Sequence, residues 1–547
     1  MPPPEHAEDE PRFALRGRIV TMDPHDTVLD DGVLYIGRGL VDAVLPAGAP
    51  RPPGHEDTPV VRTGGTVYPG LIELHNHLPY DVLPLWRIPE RYGNRSDWGG
   101  RVNPAYRTLV TGPMTVLGED PALMPAVVRY VEAKALVNGT TTSQGIALFS
   151  NTGSRRMYRG IVRNVEATDD PALPEAASRI ADVEASDASR FLTRLQQPHR
   201  LLLHLAEGVD DEARGHFRAL EFERGRWAIT DNLVGIHCTA LTAEDFTVFA
   251  GHGGSMVWSP LSNLLLYGRT ADIAAARRTG MLIGLGSDWS VSGSKGLLGE
   301  LKAARLASAA AGGVFSDRDL VAMATRDAAA ILRWERTLGS LRPGTRADLI
   351  TVAGDDGDPY TALIDARDRD IVLVAVDGTP RYGTTALMRK LTPDPAELEP
   401  LPDGAPARRS VRLHQSAADP VVGGLTLTEA AERLSRALTD LPSHAERAAR
   451  RAPPGADEGP RWRLALDEIE PNGTELRPRL APPAAARRAR PGPSGPEIAP
   501  LDARPAALTA LALDGLTAGG DPGFLASLAA EPNLPPDYAA ALSDLLT

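Results

Sequence analysis

The chain predicts an α/β fold whose parallel strands present a reaction centre at their carboxyl ends. The first observation concerns six residues: His75 and His77 in GLIELHNHL, His204 and Glu207 in LLLHLAEG, His237 in LVGIHCTAL, and Asp288 in LIGLGSDWS. Each stands where a short apolar run gives way to polar residues. Such runs read as buried strands, and parallel α/β barrels build their sites where strands hand over to loops. The second observation is the spacing of the first pair. Residues i and i+2 of a strand point to one side, so His75 and His77 can aim two imidazoles at one interior point. Three imidazoles and a carboxylate suit a divalent metal, Zn or Fe(II), with a position left for water. That is a hydrolase site.

Composition bounds the rest. A chain of 547 residues is too long for one ordinary domain, and 42% hydrophobic content supplies a substantial core. The net charge of −13 and sequence pI of about 5.5 argue against nucleic acid or anionic membrane as the main partner. No apolar stretch approaches the roughly 20 residues that span a bilayer. The opening MPPPEHAEDEPRF lacks the basic start and apolar core of a secretory signal. Cys238 is the only cysteine, so no intrachain disulfide can form and a cytoplasmic location is expected.

The order HxH, HxxE, a later His and a late Asp resembles the amidohydrolase superfamily in its mononuclear deaminase branch. That branch holds cytosine, guanine and S-adenosylhomocysteine deaminases and the triazine hydrolases. TVYPGLIELHNH resembles the family's PG-hydrophobic-D-x-H-x-H opening, and NGTTTSQG its second barrel strand. VWSPLSNLLLYG resembles its P-x-S-N segment, and TLGSLRPGTRADLITVAG its late G-x-L-x-x-G-x-x-A-D-L pattern. The resemblance covers about residues 12–390. It implies a (β/α)8 TIM-like barrel with a discontinuous β-sandwich.

In order, residues 12–65 read as short strands with turns, the N-terminal part of the sandwich. The barrel is expected over 66–337, with strands at 68–76, 139–145, 160–166 and RIADV (179–183). RLLLHLAEG, NLVGIHC, GSMVWSP and MLIGLGSD supply the other four. Residues 338–390, through RADLITVAG and DIVLVAVDGTPRYG, return to the sandwich. Residues 391–547 read as a Pro/Ala/Arg-rich extension with short helices. LTLTEAAERLSRALTDL (425–441) is amphipathic, with a Thr426–Glu429 capping box and Leu427, Ala431, Leu434, Leu438 and Leu441 on one face. Residues 481–500 are low-complexity. Two short helices are expected after Asp521-Pro522 and over 537–546. The extension is expected to pack on the barrel or on a second subunit in a homo-oligomer. It carries no chemistry in this reading, and truncation near residue 480 should leave metal binding intact.

The resemblance assigns His75, His77, His204 and Asp288 as metal ligands. Another branch of the superfamily holds two metals bridged by a carbamylated lysine on strand four. Lysine is scarce here: only Lys134, Lys295, Lys302 and Lys390 occur. Between His77 and His204 the only lysine is Lys134, on a helical stripe before the second strand. It reads as a surface lysine, as does Lys295, and one metal per chain is expected. Strand alternation alone puts Glu207 on the face opposite His204. It reaches the site only if the chain has left the strand, which Gly208 permits. In the family this Glu carries a proton from water to a ring nitrogen or leaving amine, His237 polarises water or an oxyanion, and Asp288 also takes the water's proton. Cys238 should point away from His237 and be buried.

Departures from the family limit transfer of the substrate. Trp289 follows Asp288 where a small residue is usual. SVSGSKG keeps Ser292 but lacks the frequent Ser-Asn, and no PHAPY-like element marks strand four. The loop after His77 holds Tyr80, Trp86, Tyr92 and Trp98 in a chain only 5% aromatic. Those rings either form a lid over a flat or apolar substrate or pack the loop onto the barrel. The expected function is a metal-dependent hydrolase cleaving a C–N bond of a small cyclic molecule by attack of a metal-bound hydroxide, with deamination the leading reaction. Ring opening of a cyclic amide (imidazolonepropionase-like), triazine-type hydrolysis and a non-catalytic binding scaffold are the alternatives.

Overall fold

The computed structural model describes residues 12–99, 103–150, 154–179, 188–402, 405–415, 420–449, 462–466 and 508–547. The expected low-complexity stretch 481–500 lies outside them.

The two ends of the resemblance region meet in one nine-stranded sheet. Phe13–Val20 pairs antiparallel with Val28–Gly37 and parallel with Val60–Pro69. Val60–Pro69 in turn pairs antiparallel with Leu349–Ala353, joining the early and late segments. Thr379–Thr384 and Ile371–Val376 extend it, and Arg409–Arg412 and Leu398–Pro400 continue it past residue 390. Leu15, Ile19, Leu34, Val67, Leu349 and Leu373 form its apolar core with Leu387, Met388 and Leu391 from the helix Thr385–Leu391.

Two further sheets are parallel, whereas Glu221–Glu223 with Arg226–Trp227, and Ala147–Ser150 with Arg155–Met157 and Trp462–Leu464, pair antiparallel. Leu71–Ile72, Thr140–Ser143 and Arg163–Asn164 form one set. Ala177–Arg179, Leu201–Leu205, Leu233–His237, Ser255–Trp258 and Ile283–Leu285 form another, each beside its neighbour in sequence. Backbone hydrogen bonds connect the sets at both margins. Leu74 N donates to Leu285 O (3.1 Å), and Ala176 N donates to Val165 O (2.8 Å). Strands buried on both faces read as continuous apolar runs, which is why LLLHL and LVGIH are wholly buried.

The first strand departs from the expected 68–76. Residues through Pro69 belong to the nine-stranded sheet, and a corner at Gly70 starts the parallel set. A Cβ on Gly70 would lie 2.3 Å from Thr141 Oγ1, so only glycine lets the two strands approach. For the fourth strand, the described part is Ala177–Arg179; residues 180–183 lie outside the described residues. Ile72, Leu74, Leu202, Val234, Ile236 and Val257 cluster with Ala328, Ile331 and Trp334.

The extension packs closely. Leu427–Thr439 carries the expected Thr426–Glu429 capping box and buries Leu427, Leu434 and Leu438, with Leu441 just beyond it. Ala431 is half-buried, and Ala430 and Ala437 fill the face instead. Pro522–Ala529 is capped by Asp521, and Pro536–Leu546 ends the chain. The surface reading of two lysines is corrected here. Lys134 and Lys295 are both buried and both ion-paired to Asp514, 380 and 219 positions away in the chain. The tail supplies a carboxylate that no local pattern around either lysine announces. Among the described residues no helix is long and apolar enough to cross a membrane.

Candidate metal and acid–base site

All six singled-out residues converge. The His75 ring centroid lies 4.9 Å from His77, 4.7 Å from His204 and 5.1 Å from His237. His77 and His204 are 5.5 Å apart, and His204 and His237 5.2 Å. Asp288 Oδ1 lies 3.0 Å from His75 Nε2 and 3.4 Å from His77 Nε2. Donor atoms of His75, His77 and His204, of His75, His237 and Asp288, and of His204, Glu207 and His237 each fall within 4.8 Å of one another. Five of the six are buried; His77 keeps 11% of its side chain exposed.

The backbone, not simple strand alternation, aims three of them. His237 shares parity with Leu233, whose side chain packs outward in the main core, whereas Val234 and Ile236 pack inward. Period two would turn His237 away. Its φ of 68° and that of 52° at Cys238 rotate the strand end, bringing the imidazole in and leaving Cys238 buried behind it. Ala206, at φ 52°, turns the chain one residue before Glu207, so the exit begins earlier than the expected Gly208. Asp288 sits at φ 68°. Non-glycine residues in this region carry a steric cost and collect at functional sites. Opposite Asp288, a Cβ on Gly286 would meet His75 Cβ at 2.5 Å, so glycine lets these two chain segments close up.

Hydrogen bonds fix the polarity of each group. Gln144 Oε1 faces His75 Nδ1 at 3.0 Å and also accepts from Asn76 N. An amide oxygen only accepts, so His75 Nδ1 donates to it, and Nε2 faces Asp288 at the centre. His237 has the opposite tautomer. Trp258 Nε1 donates to Thr270 Oγ1 (2.6 Å), Thr270 donates to Asn263 Oδ1 (3.2 Å), and Asn263 Nδ2 therefore donates to His237 Nδ1 (3.0 Å). Burial pushes the His237 imidazole down to about 3 against the pull of nearby Asp288, so the ring is neutral and its proton sits on Nε2. Burial, reinforced by His75 and Arg95, holds His204 well below the ordinary histidine range.

The two carboxylates differ. Burial alone would raise the Asp288 carboxyl, but the His75 imidazole outweighs it and holds the group well below the usual carboxylate range. Ser262 Oγ donates to its Oδ2 at 2.6 Å. Burial raises Glu207, partly offset by Arg95, whose Nε lies 3.9 Å from Oε2. Its Oε1 accepts from Tyr267 OH at 2.8 Å. Ser262, Asn263 and Tyr267 all stand on the helix Pro260–Tyr267, which Gly268 ends at φ 69°. One helix thus supports Asp288, His237 and Glu207. The family resemblance covers this segment, but the sequence alone assigns no role to its residues or to Gln144. The polar positions interrupting an otherwise apolar SPLSNLLLYG were the available signal.

Among the described residues, His75 Nε2, His204 Nδ1, Glu207 Oε2 and His237 Nε2 are buried with no hydrogen-bond partner. Together with the three overlapping triads, each within 4.8 Å, these atoms fit a metal ion with a polar ligand beside it. The aromatic residues lie over His77. Trp289 is 5.2 Å from His77 and from Tyr80, 6.0 Å from Trp98 and 6.2 Å from Tyr106. Trp86 contacts Tyr92 and Tyr106. Tyr80, Trp86, Tyr92 and Trp98 are all buried, so the loop is packed onto the fold, with Tyr80 and Trp289 beside His77.

Known proteins resemble this chain in sequence and in fold. Residues 201–381 match the model of the amidohydrolase family. A 5-methylthioadenosine/S-adenosylhomocysteine deaminase of Teredinibacter turnerae is 34% identical over 375 residues, 62% of this chain and 83% of the relative. One from Symbiobacterium thermophilum is 24% identical over 420 residues, 66% of this chain and 91% of that protein. Among solved structures, the zinc complex of atrazine chlorohydrolase from Arthrobacter aurescens TC1 covers 67% of this chain and 94% of its own. It superposes with a TM-score of 0.51 at 20% identity, a likeness of fold.

Proposed function

Since the chain belongs to the amidohydrolase family, we propose that it is a metal-dependent hydrolytic deaminase, releasing ammonia from an amino-substituted heterocycle. His75, His77, His204 and Asp288 would hold one divalent ion, with zinc the first candidate because a neighbour of the same fold is a zinc complex. When bound, such an ion acidifies a water from a pKa of about 15.7 to roughly 7 and so supplies a nucleophile at neutral pH.

The chain's own residues account for the remaining chemistry. Asp288, held ionised, accepts a proton at a carboxylate oxygen. Glu207, with its raised carboxyl and unpaired Oε2, carries a proton to the departing amine nitrogen. His237 offers Nε2–H to the oxygen that develops negative charge when water adds to the ring carbon. Breaking the C–N bond then gives the ring carbonyl and ammonia. The Trp289, Trp98 and Tyr80 rings suit a flat substrate. We extend the proposal to the fold: the parallel strands form one closed (β/α)8 barrel over 66–337, flanked by a sandwich from 12–65 and 338–390 and followed by the 391–547 extension. The Leu74–Leu285 and Ala176–Val165 hydrogen bonds at the two margins support closure.

One observation carries the reading: donor atoms of six buried or nearly buried His, Asp and Glu side chains form three overlapping triads, each within 4.8 Å. The relatives' names make 5′-methylthioadenosine and S-adenosylhomocysteine the first compounds to assay with zinc-loaded protein, followed by amino-pyrimidines, amino-triazines and cyclic amides. Ammonia release from any amino heterocycle supports deamination. Turnover of a cyclic amide without ammonia would replace it with ring opening.

A further inference from the structure

We propose that the C-terminal segment 508–547 is part of the framework of the reaction centre, and that Asp514 is a positioning residue for the metal ligands. Asp514 is 1% exposed and ion-paired to both Lys134 and Lys295, with Lys295 Nζ at 2.6 Å from its Oδ1. Asp521 adds a second carboxylate to Lys295 at 2.9 Å. Two of the four lysines in the chain are therefore spent inside the protein on one tail carboxylate.

From Asp514 the connections lead to the site by direct bonds. Asp514 N donates to Val82 O (3.0 Å) in the loop that follows His77. Lys134 Nζ donates to Asp81 O (2.7 Å), and Asp81 Oδ1 accepts from Ser290 N (2.7 Å), two residues beyond Asp288. Ser290 Oγ donates back to Leu83 O (2.8 Å). The loop after His77 and the loop after Asp288 are thus stitched together, and the tail anchors the stitch. Further on, Asn533 Nδ2 donates to Leu265 O (2.6 Å) on the helix that supports Asp288, His237 and Glu207. Removing one partner from a buried ion pair leaves an uncompensated charge. Loss of Asp514 would take from Lys134 its ion-pair partner and leave Lys295 with Asp521 alone.

The inference rests on the metal reading given above and adds a thermodynamic consequence to it. If the tail holds His77 and Asp288 in register for a metal, then the metal must hold the tail by the same factor. Two experiments on the full chain test this. In the first, hydrogen–deuterium exchange of the wild-type protein is followed with and without added Zn²⁺. Zinc should slow exchange in peptides carrying His75, His204 and Asp288 and also in the peptide spanning 511–521. In the second, zinc affinity of Asp514→Asn is measured by competition with a fluorescent chelator, beside the exposed tail control Asp537→Asn. Changes behind metal ligands typically cost about 10–100-fold in affinity, and a loss in that range is expected for Asp514→Asn alone. Zinc protection of the site peptides with unchanged exchange over 511–521 overturns the inference and leaves the metal reading standing. A folded Asp514→Asn protein of normal zinc affinity overturns it too. Absence of zinc protection anywhere defeats the metal reading itself, and the inference with it. If Asp514→Asn does not fold, the wild-type exchange result decides alone.

Discussion

Tyr267 donates its hydroxyl hydrogen to Glu207 at 2.8 Å, and the direction of that bond is set by Trp98. The Trp98 indole nitrogen, which can only donate, occupies the Tyr267 oxygen at 2.9 Å. A residue of the aromatic loop thereby orients a tyrosine on a buried helix, and the tyrosine holds one oxygen of the acid–base carboxyl. Tyr267→Phe should keep its metal and lose about 10-fold to 100-fold in kcat/KM, the worth of one hydrogen bond to a charged group. Zinc content and steady-state kinetics measured on the same preparation check this.

Glu207→Gln preserves the shape of the side chain and removes its titratable proton. It should retain metal and lose about 10²–10⁴-fold in kcat, the usual contribution of a positioned general acid–base group. Near-normal turnover by the purified variant would remove Glu207 from the proton path.

The tautomer of His237 can be reversed on purpose. Asn263→Asp places an acceptor opposite Nδ1, draws the proton there and leaves Nε2 without a hydrogen to offer. Losing one donor to a developing oxyanion costs about 10²–10³-fold in kcat, and that loss is expected for Asn263→Asp. Asn263→Ala leaves the tautomer free to adjust and should lose less. Equal losses in the two variants would indicate packing rather than proton placement.

Metal removal gives the simplest outcome. Dialysis against a strong chelator should abolish turnover, and about one equivalent of zinc per chain should restore it, as one set of four ligands requires. Elemental analysis of His75→Ala and Asp288→Ala should show reduced metal.

Glu531 links the tail to pH. Its carboxyl lies in the bend after the helix Pro522–Ala529, accepts from Ile88 N at 3.3 Å, and is raised to about 7 by burial. A carboxyl raised on folding favours the native state while it is protonated. Its contribution is complete below the ordinary glutamate range and is lost as pH rises through about 7. Glu531→Gln should therefore raise Tm at pH 8 relative to the wild type, with a much smaller difference at pH 4.5. Thermal melts at the two pH values measure this, and a larger gain at the lower pH would contradict it.

The chemistry was more legible than the geometry that aims it. His75, His77, His204, Glu207, His237 and Asp288 could be picked out because reactive side chains ended apolar runs, a pattern written in neighbouring residues. The inward turn of His237 could not be read, since period two points it outward and only the left-handed backbone at His237 and Cys238 reverses that. Glu207 posed the same difficulty, and Gly208 was credited with a turn that begins at Ala206. Lys134 and Lys295 were misread because their shared partner stands hundreds of residues away, in a tail whose local pattern announces only short helices. The amphipathic Leu427–Thr439 helix, by contrast, needed only its own spacing and cap.

The left-handed residues Ala206, His237, Cys238 and Asp288 have a consequence for how the centre spends free energy over time. Aim is set there by main-chain torsions at the strand ends, and hydrogen bonds from Ser262, Asn263 and Tyr267 hold the side chains of Asp288, His237 and Glu207 in place. The steric cost of such torsions, of order 1–3 kcal/mol each, falls once, when the chain folds. No reorganisation then has to accompany each turnover, and a chain that spends stability in this way exchanges thermal resistance for a centre already poised when substrate arrives.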